Sequence, residues 1–184
     1  MVGYNFSRIS ILIVDDNKYM RSLVITILNA LGIRRIQEAT DGAGAFAVLK
    51  YFPADIVICD LMMDPLDGIQ FSQMLRNAKD SPNPMLPIIM MTGHTEMHHI
   101  IEAQNAGVNE ILAKPISTKA VYERMVEIIE NPRPFVRTKS YFGPERRGQD
   151  GLVYRGCERR KFTEKVPVNA FADATDKVLD RLGI

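Results

Sequence analysis

Short apolar runs alternate five times with amphipathic segments over the first 130 residues, and this alternation limits the chain to few folds. The runs are rich in Ile and Val, as expected for strands buried on both faces. They cover residues 9–14, 36–39, 55–59, 86–91 and 109–113. In the segments that follow, apolar residues recur at spacings of three and four, which predicts helices. The predicted helices cover residues 18–31, 43–51, 68–78, 95–106 and 117–130. Five such units with right-handed crossovers predict an α/β fold, a doubly wound five-stranded parallel sheet with helices on both faces.

Charge divides the chain into two parts. Residues 1–130 hold 11 basic and 15 acidic side chains, a net charge of −4, whereas residues 131–184 hold 12 and 7, a net charge of +5. Two prolines in the stretch 131–134 mark the join. We therefore predict a domain over residues 1–130 and a basic tail over residues 131–184 that is irregular or helical.

Composition excludes several classes of protein. A hydrophobic fraction of 46% and a charged fraction of 24% indicate a globular chain rather than a disordered one. Two cysteines are too few for a disulfide framework or a zinc finger. No apolar run approaches the roughly 18–20 residues that span a bilayer, and the N-terminus lacks the order of a signal peptide. We expect a cytoplasmic protein with no membrane span.

Polar side chains follow four of the predicted strands. Asp15 and Asp16 follow the first strand, Asp60 the third, Thr92 the fourth and Lys114 the fifth. The carboxyl ends of parallel strands form the ligand-binding edge of such sheets. Grouped carboxylates repel one another unless a cation neutralises them, and Mg²⁺ prefers oxygen ligands. A carboxylate beside Mg²⁺ can attack phosphorus, while a lysine and a hydroxyl can bind phosphoryl oxygens.

As a set, these residues resemble the receiver domain of two-component response regulators, over about residues 8–130. The resemblance implies a flavodoxin-like fold in which Asp60 is the phosphoacceptor. It implies that Mg²⁺ is bound by Asp15, Asp16, Asp60 and the main-chain carbonyl of Met62.

The resemblance also assigns Thr92 and Lys114 to the phosphoryl group and implies a cis peptide between Lys114 and Pro115. The implied phosphodonor is a phosphohistidine on a sensor histidine kinase or a histidine phosphotransferase. The implied product is a phosphoprotein that switches the binding of an output protein without a DNA-binding domain. Its own phosphorylation and dephosphorylation would be its only chemistry.

Two positions depart from the family pattern. Pro65 stands one place later than in the usual loop after the phosphoacceptor, which predicts an altered loop with the site retained. Ile111 stands where the family has an aromatic residue, three positions before the lysine. We therefore expect the switch to depend more on Thr92 and on residues 93–99.

Two alternative interpretations concern the acidic residues. An aspartyl phosphatase of the haloacid dehalogenase type would place a second aspartate two residues after its nucleophile, whereas Asp15 and Asp16 are adjacent and Asn17 follows. Asp16 or Asn17 could also serve as the N-cap of the first helix. Cys59, beside the phosphoacceptor, is assigned to core packing.

The tail contains a near-repeat, Tyr-x-Gly-x-Glu-Arg-Arg, at residues 141–147 and 154–160, followed by a predicted amphipathic helix over residues 168–182. We favour docking of the tail on a protein surface, which could be its own domain, a second copy in a homodimer, or an output partner. The alternative is a regulator that binds nucleic acid through the tail, by charge and stacking. A solvated linker is the third possibility.

Overall fold

A five-stranded parallel sheet forms the centre of the molecule, in the order β2-β1-β3-β4-β5. The computed structural model describes residues 4–93 and 97–146, and the main chain of residues 164–165. The strands are β1 (Ser10–Val14), β2 (Arg35–Ala39), β3 (Ile56–Asp60), β4 (Ile88–Thr92) and β5 (Glu110–Ala113). The helices are α1 (Lys18–Ala30), α2 (Gly42–Leu49), α3 (Gly68–Asn77), α4 (Met97–Asn105) and α5 (Thr118–Glu130).

The predicted fold class is confirmed, and the strands begin and end near the predicted residues. The largest difference is at β4, which was predicted to begin at Leu86 and begins at Ile88. Leu86 instead donates its N–H to Asn83 in a turn, and Pro87 has no N–H for the sheet. The first residues of the predicted helix 95–106 lie outside the described residues.

Two apolar cores cover the two faces of the sheet, because successive strand residues point to opposite sides. On one face Val57 and Met90 pack with Phe71 of α3, together with side chains from α2 and α4. On the other face Ile58 and Met91 pack with residues of α1 and α5. Both faces of the central strands are therefore dry, which explains their continuous apolar runs.

Side chains cap the N-termini of the helices that lead away from the carboxyl edge of the sheet. The Asn17 side chain accepts the N–H groups of Tyr19 and Met20 at the start of α1, and Ser117 caps α5. Asp67 and Gln70 form a reciprocal capping box at the start of α3. These caps fix where each strand-to-helix loop ends, and therefore where the strand-end side chains lie.

The first part of the tail forms a β-hairpin that packs on the domain. Its strands are β6 (Phe135–Arg137) and β7 (Phe142–Pro144), and β8 (Glu164–Lys165) pairs with the other edge of β6. The sequence pattern predicted no strand here, because three residues are too few to show a period. The second copy of the repeat, Arg147 and the predicted helix 168–182 lie outside the described residues. Within the described ranges, no helix is both long and apolar enough to cross a membrane.

Candidate functional site

Three carboxylates converge at the carboxyl edge of the sheet. Asp15 and Asp16 follow β1, and Asp60 ends the neighbouring strand β3. One oxygen from each carboxylate lies within 4.8 Å of the others. Within residues 4–93 and 97–146, no other group of three acidic, histidine or cysteine side chains is close enough to share a metal ion. The structure thus brings together the three predicted side-chain metal ligands, and their role stays a prediction.

Asp15 is the fully buried member of this carboxylate cluster, with 0% of its surface exposed. Its Oδ1 accepts a 2.8 Å hydrogen bond from the Asn17 N–H, whereas its Oδ2 has no hydrogen-bond partner. Burial raises the pKa of Asp15; the Asn17 N–H lowers it, the charge of Asp60 raises it, and Lys114 lowers it. A buried carboxylate oxygen without a partner is costly. Asp15 is therefore suited to bind a cation.

The Lys114 ammonium lies between two of the carboxylates. Its Nζ is 2.9 Å from Asp60 Oδ1 and 3.7 Å from Asp15 Oδ2. Asp60 Oδ1 also accepts the Leu61 N–H at 2.9 Å. The peptide between Lys114 and Pro115 is cis, as the resemblance implied. One ammonium against three carboxylates leaves excess negative charge for a divalent cation.

Thr92 is the buried last residue of β4, with 4% of its surface exposed. Its carbonyl accepts the Lys114 N–H at 2.8 Å, so the two predicted phosphoryl-binding residues lie side by side at the ends of adjacent strands. A hydroxyl and an ammonium next to a carboxylate can together bind a tetrahedral oxyanion.

Asp16 remains available to the carboxylate cluster because it does not cap α1. The capping side chain is Asn17, whose Oδ1 lies 2.9 Å from the N of Tyr19 and 3.3 Å from the N of Met20. Met62, whose carbonyl is the fourth predicted metal ligand, lies in the loop after β3 with 59% of its surface exposed. The role of that carbonyl stays a prediction.

Arg21 holds the main chain of the β1–α1 loop, and the sequence pattern did not single it out. Its NH1 group lies 2.9 Å from the carbonyl oxygen of Asp15 and 3.4 Å from that of Asp16, and its Nε donates to Glu38 at 2.8 Å. An arginine on an amphipathic helix is usually solvated, so the helical spacing contains no signal for this contact.

The loop after β3 packs tightly against Asp60. A Cβ on Gly68 would lie 2.2 Å from the Asp60 carbonyl oxygen and 2.8 Å from the Met90 sulfur, so only glycine fits at this start of α3. Cys59 is fully buried in the core, and burial raises the pKa of its thiol well above the ordinary value. The prediction that Cys59 is a packing residue is confirmed.

The carboxylate cluster can therefore do two things. Its three carboxylates offer the hard oxygen ligands that Mg²⁺ takes, and the buried Asp15 Oδ2 accepts no hydrogen bond. The largely buried Asp60 carboxylate, beside an ammonium and near a hydroxyl, can accept an electrophilic group whose oxygens those groups hold.

Comparisons with known proteins agree with this geometry. Residues 11–126 match the response regulator receiver domain family. The chain is 38% identical over 120 residues to the chemotaxis protein CheY-3 of Vibrio cholerae serotype O1, a match covering 65% of this chain and 91% of that protein.

Two solved structures are similar to the fold. The chemotaxis protein CheY4 of Vibrio cholerae is 26% identical with a TM-score of 0.60, and the match covers 65% of this chain and 98% of that chain. The receiver domain of a sensor histidine kinase from Pseudomonas aeruginosa PAO1 is 26% identical with a TM-score of 0.56, and the match covers 64% of this chain and 93% of that chain. That second structure has a magnesium ion coordinated in its active-site cleft.

Proposed function

The chain belongs to the response regulator receiver domain family, and from that membership we propose that it accepts a phosphoryl group on Asp60. Receiver domains are phosphoacceptor signalling proteins rather than classical enzymes, and they interact with histidine kinases or phosphotransferases. The observation that carries the proposal is the contact of 2.9 Å between Lys114 Nζ and Asp60 Oδ1 inside the carboxylate cluster. It singles out Asp60 because Lys114 lies 2.9 Å from this carboxylate and 3.7 Å from that of Asp15.

Phosphoryl transfer to Asp60 needs no other covalent group from the protein. An Asp60 carboxylate oxygen attacks the phosphorus of a phosphohistidine, an O–P bond forms, and the N–P bond breaks. The imidazole leaves with the electron pair and takes a proton from solvent. Lys114 donates to a phosphoryl oxygen, and the Thr92 hydroxyl donates to another, so the negative charge that develops is held by groups already in place.

Asp15, Asp16 and Asp60 would hold Mg²⁺, with the main-chain carbonyl of Met62. The fit follows from Asp15 Oδ2, which is buried and lacks a hydrogen-bond donor. Bound Mg²⁺ supplies charge neutralisation that lets a phosphoryl group approach the carboxylates. The magnesium ion in the receiver of the Pseudomonas aeruginosa kinase supports the same assignment here.

Ile111 stands where the family has an aromatic residue. It is half-buried and packs with the core on the side of α2, α3 and α4. An aliphatic side chain has no ring to move inward, so we propose that the phosphorylated state is signalled through Thr92 and the residues after it.

The output is proposed to be the binding of another protein. Arg133, Arg137 and Arg146, in the described part of the tail, contact Glu110, Phe142 and Asn105 respectively. Because Arg133 and Arg146 contact the domain and Arg137 packs within the tail, the described part of the tail favours docking on its own domain over nucleic-acid binding.

The proposal is tested by labelling with acetyl phosphate in the presence of Mg²⁺. We expect the wild type to be labelled and Asp60→Asn to take no label. Asp80→Asn is the matched control, because Asp80 is an exposed aspartate paired with Lys50 on the surface and should be labelled like the wild type. Equal labelling of Asp60→Asn would overturn the assignment.

A further inference from the structure

The segment Arg133–Arg146, called the strap below, contains the tail hairpin, and three of the points at which it contacts the receiver lie close together. Arg133 bonds the buried Glu110 carboxylate at 2.8 Å. Gly143 lies against Gly107, where a Cβ on Gly143 would be 2.8 Å from the Gly107 Cα. Arg146 donates to the Asn105 side chain at the end of α4. All three points lie at the end of α4 or the start of β5.

Arg76 of α3 anchors the strap from beneath. Its side chain is almost fully buried, and it donates to the carbonyls of Gly107 and Pro84 and to the Asn109 side chain. The Phe135 ring of the strap lies over its guanidinium, 5.0 Å from ring centroid to Cζ. Burial lowers the pKa of Arg76 to about 9, so the group is still charged at neutral pH. The strap therefore packs on a buried cation of the receiver.

The strap also closes on itself. Thr138 donates its N–H to the Tyr141 carbonyl and Glu145 donates to the Pro134 carbonyl, each at 2.8 Å. Phe135 and Phe142 are buried against Met85. A segment with its own main-chain bonds and a buried apolar side is a unit that docks or undocks as a whole.

One short strand joins the strap to the phosphoacceptor site. β5 has four residues, with Glu110 at its start and Lys114 directly after its end. It is also the edge strand, hydrogen-bonded only to β4 on one side. Leu112 of β5 is buried in the core beside α5, and the contacts at the two ends of the strand add to this packing in fixing its position. At one end Glu110 pairs with Arg133 at 2.8 Å and with Arg124 of α5 at 3.3 Å, and after the other end Lys114 pairs with the Asp60 carboxylate.

We propose that docking of the strap and phosphorylation of Asp60 favour each other through β5. The docked strap fixes Glu110, which keeps Lys114 in place to bind a phosphoryl group, and a phosphoryl group that engages Lys114 fixes β5 for the strap. The proposal rests on the proposed function, because it needs a phosphoryl group at Asp60. Coupling between two sites is reciprocal, so it is measurable from either side.

The first measurement follows hydrogen exchange in the strap when the phosphoacceptor site is filled. Hydrogen exchange of full-length wild type is followed in Mg²⁺ alone and in Mg²⁺ with beryllofluoride, a phosphoryl analogue. We expect amides of residues 135–145 to exchange several-fold more slowly with beryllofluoride. Unchanged exchange in the strap, with slower exchange around Asp60 showing that the site is filled, would overturn the coupling alone.

The second measurement compares beryllofluoride binding at the site when the strap is held less tightly. Arg133→Gln removes the bond to Glu110 and should weaken beryllofluoride binding by at least about 5-fold, the lower end of typical coupling. Arg137→Gln is the matched control: it removes the same charge from the strap, but Arg137 packs on the Phe142 ring of the strap itself, 4.0 Å from its centroid. Equal affinity of Arg133→Gln and wild type contradicts the coupling, whereas absence of binding to wild type overturns the proposed function and the coupling with it.

Discussion

Among single residues, Asp15 has the most unusual environment, a carboxylate with no exposed surface whose Oδ2 accepts no hydrogen bond and lies 3.7 Å from Lys114 Nζ. Burial raises its pKa, so the folded protein holds the Asp15 proton more tightly than the unfolded chain does. The folded state therefore loses stability as pH rises from the unfolded pKa, about 3.9, through the raised folded value. At neutral pH, Asp15 destabilises the metal-free protein.

Replacing Asp15 with Asn should therefore stabilise the metal-free protein and abolish its response to Mg²⁺. We expect a higher Tm in chelator, by about 2–4 °C for each 1 kcal/mol of carboxylate cost removed. Thermal unfolding of the wild type and Asp15→Asn, each with chelator and with Mg²⁺, provides the measurement. A variant that is less stable in chelator, or that keeps the Mg²⁺-induced rise in Tm, contradicts this account of Asp15.

Cys59 should be inert in the folded protein. Its thiol is buried and its pKa is raised, so at mildly alkaline pH it holds less thiolate than an exposed cysteine. In a Cys157→Ser background, iodoacetamide should leave the native protein unmodified and alkylate Cys59 fully in denaturant. Rapid modification of the native protein, measured by mass spectrometry, would show that the core does not shield Cys59 from solvent.

The sequence predicts the residues of the site but not the residues that hold them in place. Asp15, Asp16, Asp60, Thr92 and Lys114 follow strands, so their convergence is a consequence of topology. Glu110 and Arg76 act through contacts with residues far away in sequence, and Arg21 acts through a side chain that turns back to the loop before its helix. Charged residues on amphipathic helices or beside strands have ordinary solvated interpretations, and no spacing separates a buried arginine from an exposed one.

Among the elements, the loop from β3 to α3 has the tightest packing described around the site. Gly68→Ala would push a Cβ into the Asp60 carbonyl and the Met90 sulfur. We expect a loss of about 1–3 kcal/mol in the free energy of unfolding, as for overpacking, and slower labelling of Asp60. Denaturant titration and acetyl phosphate labelling measure the two effects.

Gly44→Ala is the matched control for that change. Gly44 lies within α2, and the atoms nearest to its added Cβ are 3.6–3.8 Å away, at ordinary contact distance. The free energy of unfolding should rise by about 0.5–1 kcal/mol, because alanine favours helices over glycine. If Gly68→Ala were as stable as Gly44→Ala, the close approach to Asp60 would not exist in solution.

The five βα units were predictable because strands buried on both faces give unbroken apolar runs, and surface helices give spacings of three and four. The hairpin of β6 and β7 was not predicted. Its strands have three residues each, and its position depends on Arg76 and Gly107, which are distant in sequence. A hairpin that is held by tertiary contacts shows no hydrophobic periodicity in its sequence.

For the whole molecule, the acidic domain and the basic tail partly neutralise each other within the structure. The acidic residue Glu110 belongs to the domain and the basic residue Arg133 to the tail, and they form a half-buried ion pair. The excess positive charge of residues 131–184 is therefore partly matched by the receiver itself. The strap belongs to the receiver's packing, although its composition places it in the tail.

Removing the strap should cost stability that removing later residues does not. A chain ending at residue 132 loses Phe135 and Phe142, which are buried, and uncovers Arg76. Its Tm should fall below that of a chain ending at residue 146 by at least about 2–4 °C, the shift for 1 kcal/mol in a chain of this size. Differential scanning calorimetry compares the two truncations, and equal Tm values would mean that the strap does not dock in solution.

The central claim is that Asp60 receives the phosphoryl group, and the most direct measurement locates it chemically. The wild type is incubated with acetyl phosphate and Mg²⁺, the acyl phosphate is reduced with borohydride, and the peptides are sequenced by mass spectrometry. Reduction turns a phosphorylated aspartate into homoserine, and we expect homoserine at position 60 with Asp15 and Asp16 unchanged. Homoserine at another aspartate, with position 60 unmodified, would contradict the account.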